Sequence, residues 1–347
     1  MTTKSLNRLL SFAAQEKAEK LVISGQKQEL ACRCYLPLGE EAHFRLPKSL
    51  EEDLASSLRR LLKLAPDELT SGRYFKINSR DCQLNFQLSI IPGKTGEKII
   101  IEIVHKNRKN LSLGQLGLQK EERKKLQQAL ANPSGLIVLS SPERQGRTTS
   151  LAACLRELDR DNRSVYLLSH NSEIEIPGVI CPGNSTEIWD KVMKHDSDII
   201  AFDDDEPETL NRAVLAAATG RLVLITITAD TSWEALYKLL NSSLPNTLVA
   251  ANLKLISHQR LVDLKRRLKN KRSTVRARKE VDPNYQRQKI GVFETVVLTP
   301  VLRDFIKVQT NSWQQEDFWN ELLKLALANG YQTWQTDSAK KKKEGLI

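Results

Sequence analysis

Residues 135–158, GLIVLSSPERQGRTTSLAACLREL, constrain the fold of this chain more than any other stretch. Leu136 to Ser140 read as a buried strand and Ser141 to Gly146 as a tight polar loop. Leu151, Cys154, Leu155 and Leu158 then recur at helical spacing, forming one apolar face. Strand, loop and helix in that order make the frame of a phosphate-binding loop, where backbone N–H groups and a helix N-terminus face an anion. Such a loop requires G-x-x-x-x-G-K-[ST]. Here the positions read Ser141-x-x-x-x-Gly146-Arg147-Thr148, so Gly146 and Thr148 match while the first glycine and the lysine do not. A polar turn capping an ordinary βα unit would satisfy the same pattern.

The surrounding sequence continues the alternation. We expect a helix over Lys120 to Ala131, a strand over 136–140, a helix over 147–158, a strand over Ser164 to Leu168 and a helix over Glu187 to Lys194. A strand over Asp198 to Phe202, a helix from Glu208 to Thr219 stopped by Gly220, and a strand over Leu222 to Thr228 follow. Beyond them come a helical stretch from Thr247 to Leu261 and a last amphipathic helix, Phe318 to Ala328. Strands alternating with helices imply an α/β domain with a mostly parallel sheet, with ligands at the carboxyl ends of its strands. We place this domain at 119–335.

Residues 1–105 read differently. Leu6, Leu9, Leu10 and Ala13 have helical spacing, Leu21 to Ser24 and Ala31 to Leu36 are extended, and Ser49 to Leu64 is an amphipathic helix that stops before Pro66. Cys82, Leu84, Phe86, Leu88 and Ile90 alternate with polar residues, as in a half-buried strand, and Lys98 to Val104 returns after a turn at Pro92-Gly93. The expectation is a small α+β domain on an antiparallel sheet, joined to the larger one by a linker at 106–118.

The net charge of +11 is unevenly spread: Arg260 to Lys289 holds twelve basic residues against three acidic ones, and Lys340 to Lys343 is an unbroken run. The first is a candidate surface for nucleic acid or anionic lipid headgroups, the alternative being a solvated loop. Residues 336–347 read as a basic disordered tail. No apolar run approaches the ~18 residues of a membrane span, and no leader pattern opens the chain, so a cytoplasmic location is expected. Five scattered cysteines fit reduced thiols. Cys32 and Cys34 share a strand face, without a second pair to complete a zinc site.

The order of segments resembles the type II secretion and type IV pilus assembly ATPases over nearly the whole chain. The likeness is carried by Leu111-Ser-Leu-Gly-Gln-Leu-Gly117, Pro177-Gly178, Glu208-Thr209 with Ala216-Ala-Ala-Thr-Gly-Arg-Leu-Val223, Leu255 to Val262 (LISHQRLV), and Gly291-Val-Phe-Glu294. In the first domain Leu46-Pro47, Gly72-Arg73, Leu88 to Pro92 and Gly96-Glu-Lys98 fall in the family's order. The resemblance implies a RecA-like motor domain behind the small domain, a hexameric ring at the cytoplasmic face of the inner membrane, platform proteins in that membrane as partners, and ATP with Mg²⁺ as ligands.

Carried over position by position, it makes Ser141, Arg144, Gly146, Arg147, Thr148 and Thr149 the nucleotide loop, and Thr148 and Asp203 the metal holders. Asp204, Glu173 and Arg73 become the catalytic candidates. The departures fall on the same positions. The family's G-P-T-G-S-G-K-T-T is Ser141-Pro-Glu-Arg-Gln-Gly-Arg-Thr-Thr149 here, which puts Arg144 where glycine turns the backbone and Glu143 beside the expected phosphates. Arg147 keeps the charge of the lysine but not its compact shape. The acidic box I-E-D-P-V-E reads Leu168-Ser-His-Asn-Ser-Glu173, and the histidine box T-L-H-T-N reads Thr226-Ile-Thr-Ala-Asp230, with Thr228 at the histidine position. The family's Gly-Glu becomes Asp203-Asp204, a shorter carboxylate to position water, and Gln87 replaces an arginine. The family's paired zinc cysteines are absent, and the basic run 265–279 fills their interval.

These losses point to weak or absent nucleotide binding and to a non-catalytic or regulatory ring subunit, assembled with itself or with an active paralogue. The alternative is a slow Mg²⁺-dependent ATPase that powers pilus assembly or secretion.

Overall fold

The structure is a computed structural model. It describes residues 4–16, 18–25, 29–36, 41–62, 64–65, 70–78, 83–93, 96–104, 111–169, 174–264, 289–308 and 313–347. The chain divides into two compact units, one within residues 1–108 and one that begins at Lys109.

The first unit is a six-stranded antiparallel sheet in the order β3-β2-β1-β6-β5-β4 with two helices. Its strands are β1 (Lys20–Gly25), β2 (Glu29–Tyr35), β3 (Glu41–Pro47), β4 (Thr70–Asn78), β5 (Gln83–Gly93) and β6 (Gly96–Val104). Helices α1 (Lys4–Gln15) and α2 (Leu50–Leu62) bury Leu6, Leu10, Leu54 and Leu58 against Leu21, Leu30, Phe86, Leu88 and Ile101. Cys32 and Cys34 do point to one face, into this core. Burial raises both thiols to about 11, so neither is a thiolate at neutral pH.

The antiparallel α+β character follows the alternation read in the sequence, with one shift. Pro92 and Gly93 do not form a turn but remain in the ladder, where Gly93 pairs with Gly96. A side chain at Gly93 would stand 2.8 Å from the Gly96 carbonyl oxygen, so the closing rung needs glycine. Strands β3 and β4 were not expected from the sequence. They are the two edges of the sheet, where fewer apolar residues are needed to satisfy one buried face.

The second unit is a seven-stranded sheet in the order β13-β12-β7-β11-β10-β8-β9, parallel throughout except for the β12–β13 pair. The strands are β7 (Gly135–Ser141), β8 (Val165–Leu168), β9 (Val179–Ile180), β10 (Ile199–Phe202), β11 (Leu222–Thr228), β12 (Leu253–Asp263) and β13 (Lys289–Val297). One face is covered by a core that includes α6 (Pro207–Ala218), α7 (Ser232–Leu240), α8 (Asn246–Asn252), α9 (Pro300–Val308) and α10 (Glu316–Ala328). The other is covered by α3 (Lys120–Leu130) and α4 (Arg147–Glu157). Helix α5 (Thr186–Lys194) precedes β10 and is capped by Ser185, whose hydroxyl accepts from the Ile188 N–H. Every residue of β7 and β10 is buried, as a parallel strand covered on both faces requires. No helix among the described residues is long and apolar enough to cross a membrane.

Three expectations are corrected. The helix expected from Thr247 to Leu261 ends at Asn252, and Leu253 opens β12. Six of the first seven residues of β12 are buried, so the strand lacks the alternation that distinguishes it from a buried helix. The linker expected up to residue 118 is, in its second half, part of the larger unit: Leu113, Leu116 and Leu118 lie in the α3–α4 core, and the Gly291 N–H donates to Leu116 O at 2.9 Å.

The expected disordered tail is, over most of its length, helix α11 (Trp334–Lys343). Lys341, 1% exposed, donates to Asp337 Oδ2 at 2.5 Å and to Gly291 O at 2.8 Å, and the same Asp337 oxygen accepts from the Phe293 N–H at 2.8 Å. The free edge of β13 thus supplies backbone groups that the lysine run and its aspartate satisfy.

Candidate functional site

The loop that leaves β7 lies over the carboxyl end of the parallel sheet. Ser141 pairs in register with Thr228, the last residue of β11, so loop and β11 terminus face one another. Gly146 caps α4 in a left-handed conformation at φ +86°, and a side chain there would lie 3.0 Å from Gln259 Nε2. Glycine is therefore needed for both backbone angle and space. Arg144 is left-handed as well, at φ +59°, the one such non-glycine residue among those described. This is the position where the family resemblance implies a glycine, and the conformation carries strain of about 1–2 kcal/mol.

Polar side chains fill the space around the loop. Ser141 Oγ donates to Pro142 O at 2.8 Å, and Gln145 is tied to β12 at both its carbonyl and its side-chain oxygen. Arg147 turns its guanidinium onto Thr228, donating to Oγ1, and stands 3.9 Å from Asp205 Oδ2. Thr228 is a hub: its N–H donates to Asp205 Oδ2 at 2.6 Å and its carbonyl accepts from Lys238 Nζ at 2.5 Å.

Beside it, where β10 ends, Asp203 Oδ1 accepts from Thr148 Oγ1 at 3.3 Å and from Thr226 Oγ1 at 3.1 Å. Burial pushes this carboxyl up to about 6, opposed by the Thr226 hydrogen bond, the Arg147 charge and the Thr148 hydrogen bond, and reinforced by Asp204. At neutral pH it is still mainly a carboxylate.

Residues 63–341 match the family model described as "Type II/IV secretion system protein". The chain belongs to this family. It is 26% identical to the type II secretion system protein E of Dickeya dadantii (strain 3937) over 273 residues, 74% of this chain and 54% of that protein. It is 24% identical to the type IV pilus assembly ATPase PilB of Myxococcus xanthus (strain DK1622), over 84% of this chain and 53% of that one. The chain therefore spans about half the length of these relatives.

Two solved structures share the fold. The pilus retraction motor PilT with bound ADP has a TM-score of 0.69 at 16% identity, covering 98% of this chain and 94% of that one. The Legionella pneumophila ATPase DotB has a TM-score of 0.69 at 16% identity, with coverage of 100% and 93%. The α/β architecture is that of these two structures.

Within this family member, the residues singled out from the sequence separate into two sets. Ser141, Gly146, Arg147, Thr148 and Asp203 come together at the sheet's carboxyl edge, with Arg144 in the same loop and half-buried Thr149 on the first turn of α4. Asp204 does not join them by any hydrogen bond. Its Oδ2 accepts from Asn184 Nδ2 at 2.6 Å, and its Oδ1 and the Asn184 Oδ1 are buried without a hydrogen-bond partner among the described residues. Arg73 lies in β4 of the first unit, opposite Leu88 in register. Glu173 and residues 265–288 of the basic segment lie outside the described residues. Arg260, at the start of that segment, donates to Asp230 O at 2.8 Å and stacks over Trp334 at 5.0 Å.

Lys238, Gln145, Asn184 and Gln259 are not among the residues singled out from the sequence, and Thr226 is there only as the first position of the histidine box. Thr226 carried a usable signal, since it stands two residues before Thr228 and so projects from the same strand face. Gln259 carried none once 247–261 was read as helix.

The residues fit a magnesium nucleotide only in part. Thr148 and Asp203 present a hydroxyl and a carboxylate, the hard oxygen donors that Mg²⁺ takes directly or through water. The phosphate grip does not fit. Arg147 is already engaged by Thr228 and Asp205, Glu143 adds a negative charge to the loop, and Arg144 replaces a glycine.

Proposed function

We propose that this chain is a secretion or pilus-assembly ATPase-family subunit that has kept the motor scaffold and lost turnover, serving as a non-catalytic or regulatory member of a ring. The observation that supports this most directly is Arg147, whose guanidinium is directed to Thr228 and Asp205 within the chain. Removing one preorganised contact to a developing charge commonly costs about 3 kcal/mol, roughly a hundredfold in rate. Here the lysine and the histidine have been replaced and the acidic box thinned to Glu173, so turnover falls toward background even without additivity. The ring is a hexamer of this chain or of this chain with an active paralogue, at the cytoplasmic face of the inner membrane against a secretion or pilus platform. Residues 260–289 face anionic lipid or nucleic acid there.

The test is phosphate release by the purified chain with ATP and Mg²⁺. Turnover indistinguishable from background is expected. Steady release that Asp203→Asn or Arg147→Ala abolishes would overturn the reading.

A second reading is favoured by the Thr148–Asp203 pair, 3.3 Å apart, which retains a place for Mg²⁺. In it the chain is a slow ATPase, with Asp203 rather than Asp204 as the carboxylate next to the metal. Asp203→Asn and Asp204→Asn separate the two, since only the first removes an oxygen that meets Thr148.

A further inference from the structure

We infer that the loop of residues 141–147 is latched from within the chain and holds one shape whether or not a ligand is present, so that Gln145, Gln259 and Arg147 play the part a phosphate plays in a working loop. The inference deepens the reading of a non-catalytic subunit and rests on it for its biological sense. Its geometry stands separately.

Strand β7, from which the loop emerges, lies between β12 and β11, and the loop is fastened to both neighbours. On the β12 side, Gln259 Nε2 donates to Gln145 O at 2.5 Å, and the Leu261 N–H donates to Gln145 Oε1 at 2.7 Å. Gln259 Oε1 also accepts from Ser150 Oγ in the first turn of α4. Gln259 is 4% exposed, so these bonds are made where water does not compete well. On the β11 side, Arg147 reaches Thr228. One residue of the loop is thus held by main chain and side chain together, and turning the 145–146 peptide would break the bond to the Gln145 carbonyl.

Space is tight at Gly146, the next residue of the loop. A side chain at Gly146 would press on Gln259, whose Nε2 would lie 3.0 Å from its Cβ, which fits a loop shaped around Gln259. The left-handed Arg144 directly precedes Gln145, and such strain persists where the neighbouring backbone is held in place. Within a ring, such a subunit presents the same loop at every stage of a neighbour's nucleotide cycle.

Hydrogen exchange on the full chain, with and without ADP and Mg²⁺, tests this. The expected result is slow exchange in peptides covering 142–150 and 257–263 in the absence of nucleotide, changed less than about twofold by its addition. Gln145→Ala, an exchange in a half-exposed loop that leaves the core intact, speeds exchange in both peptides by roughly tenfold or more and leaves α6 unchanged. Gln259→Leu, close in volume, does the same.

A wild-type loop that exchanges freely until nucleotide is added overturns the inference, as do variants whose exchange matches the wild type. The two readings fail separately. ATP turnover with a protected loop removes the non-catalytic assignment and keeps the latch, and a loose loop without turnover does the reverse.

Discussion

Thr148 Oγ1 and Asp203 Oδ1 meet at 3.3 Å, joining the first turn of α4 to the carboxyl end of β10 across 55 residues of sequence. Thr226 donates to the same oxygen from β11, so one carboxylate ties together three elements at the edge of the sheet. A carboxyl in that position is held between two demands: burial favours its neutral form, while the hydroxyls and Arg147 favour its charge.

Because Asp203 titrates near 6 in the folded chain and near 3.9 when unfolded, the folded state binds more protons between those values. Its contribution to stability therefore falls as pH rises from about 4 to about 6, by at most about 3 kcal/mol. Asp203→Asn should remove this slope. Urea midpoints measured from pH 4 to 7 check it, and a variant curve parallel to the wild type would refute the assignment.

His258 should act in the opposite sense. It is fully buried with Nδ1 3.1 Å from Ser140 Oγ, and burial lowers it to about 4. Glu294, Asp230 and Glu234 pull it up, and Arg260 pushes it further down. The unfolded chain, titrating near 6.5, binds the extra proton, so this stability is present above about 6.5 and is lost as pH falls toward 4. With His258→Gln the loss on acidification should shrink, whereas Asp203→Asn should expose it more fully. The same urea series reads both.

Replacing Arg144 by glycine relieves a left-handed residue and should raise stability by about 1 kcal/mol, or a melting temperature by about 2–4 °C for a unit of this size. The outcome to look for in calorimetry is a stabilised protein. A lower melting temperature would mean that contacts made by the arginine side chain outweigh the strain.

The buried pair Asp337–Lys341 fixes α11 to β13, with both side chains at most 5% exposed. Lys341→Met leaves a carboxylate buried against the Phe293 N–H alone and should cost about 3–5 kcal/mol. The double change with Asp337→Leu should cost markedly less, because no unpaired charge remains. Equal losses in single and double variants, measured by urea unfolding, would show that helix packing and not the ion pair matters.

Much of the fold was legible in the sequence for reasons specific to its elements. The run from Gly135 to Leu158 changes from an apolar block to a polar loop to helical spacing, and each change is a local signal. The same kind of signal failed at LISHQRLV: β12 is covered on both faces, so its residues carry neither alternation nor a single apolar stripe. Residues 111–118 read as a linker because four leucines among polar and turn residues form no periodic pattern, yet three of them, Leu113, Leu116 and Leu118, fill a core built by distant strands. The lysines of α11 looked like a solvated tail, and nothing near them in sequence reveals that Lys341 finds its partner oxygen on Gly291, fifty residues away.

By itself the sequence determined the run of alternating strands and helices from Lys120 to Thr228 and the mostly parallel character of the sheet they build. These depend on side-chain types and on spacing along one element, which a linear string contains. Only the tertiary structure decided that Asp203 rather than Asp204 meets Thr148, that Arg147 turns onto Thr228, and that Gln145 and Gln259, 114 residues apart, hold the loop. Those choices depend on which strand ends lie side by side, and the order β12-β7-β11 is set by packing over the whole sheet, not by any local pattern.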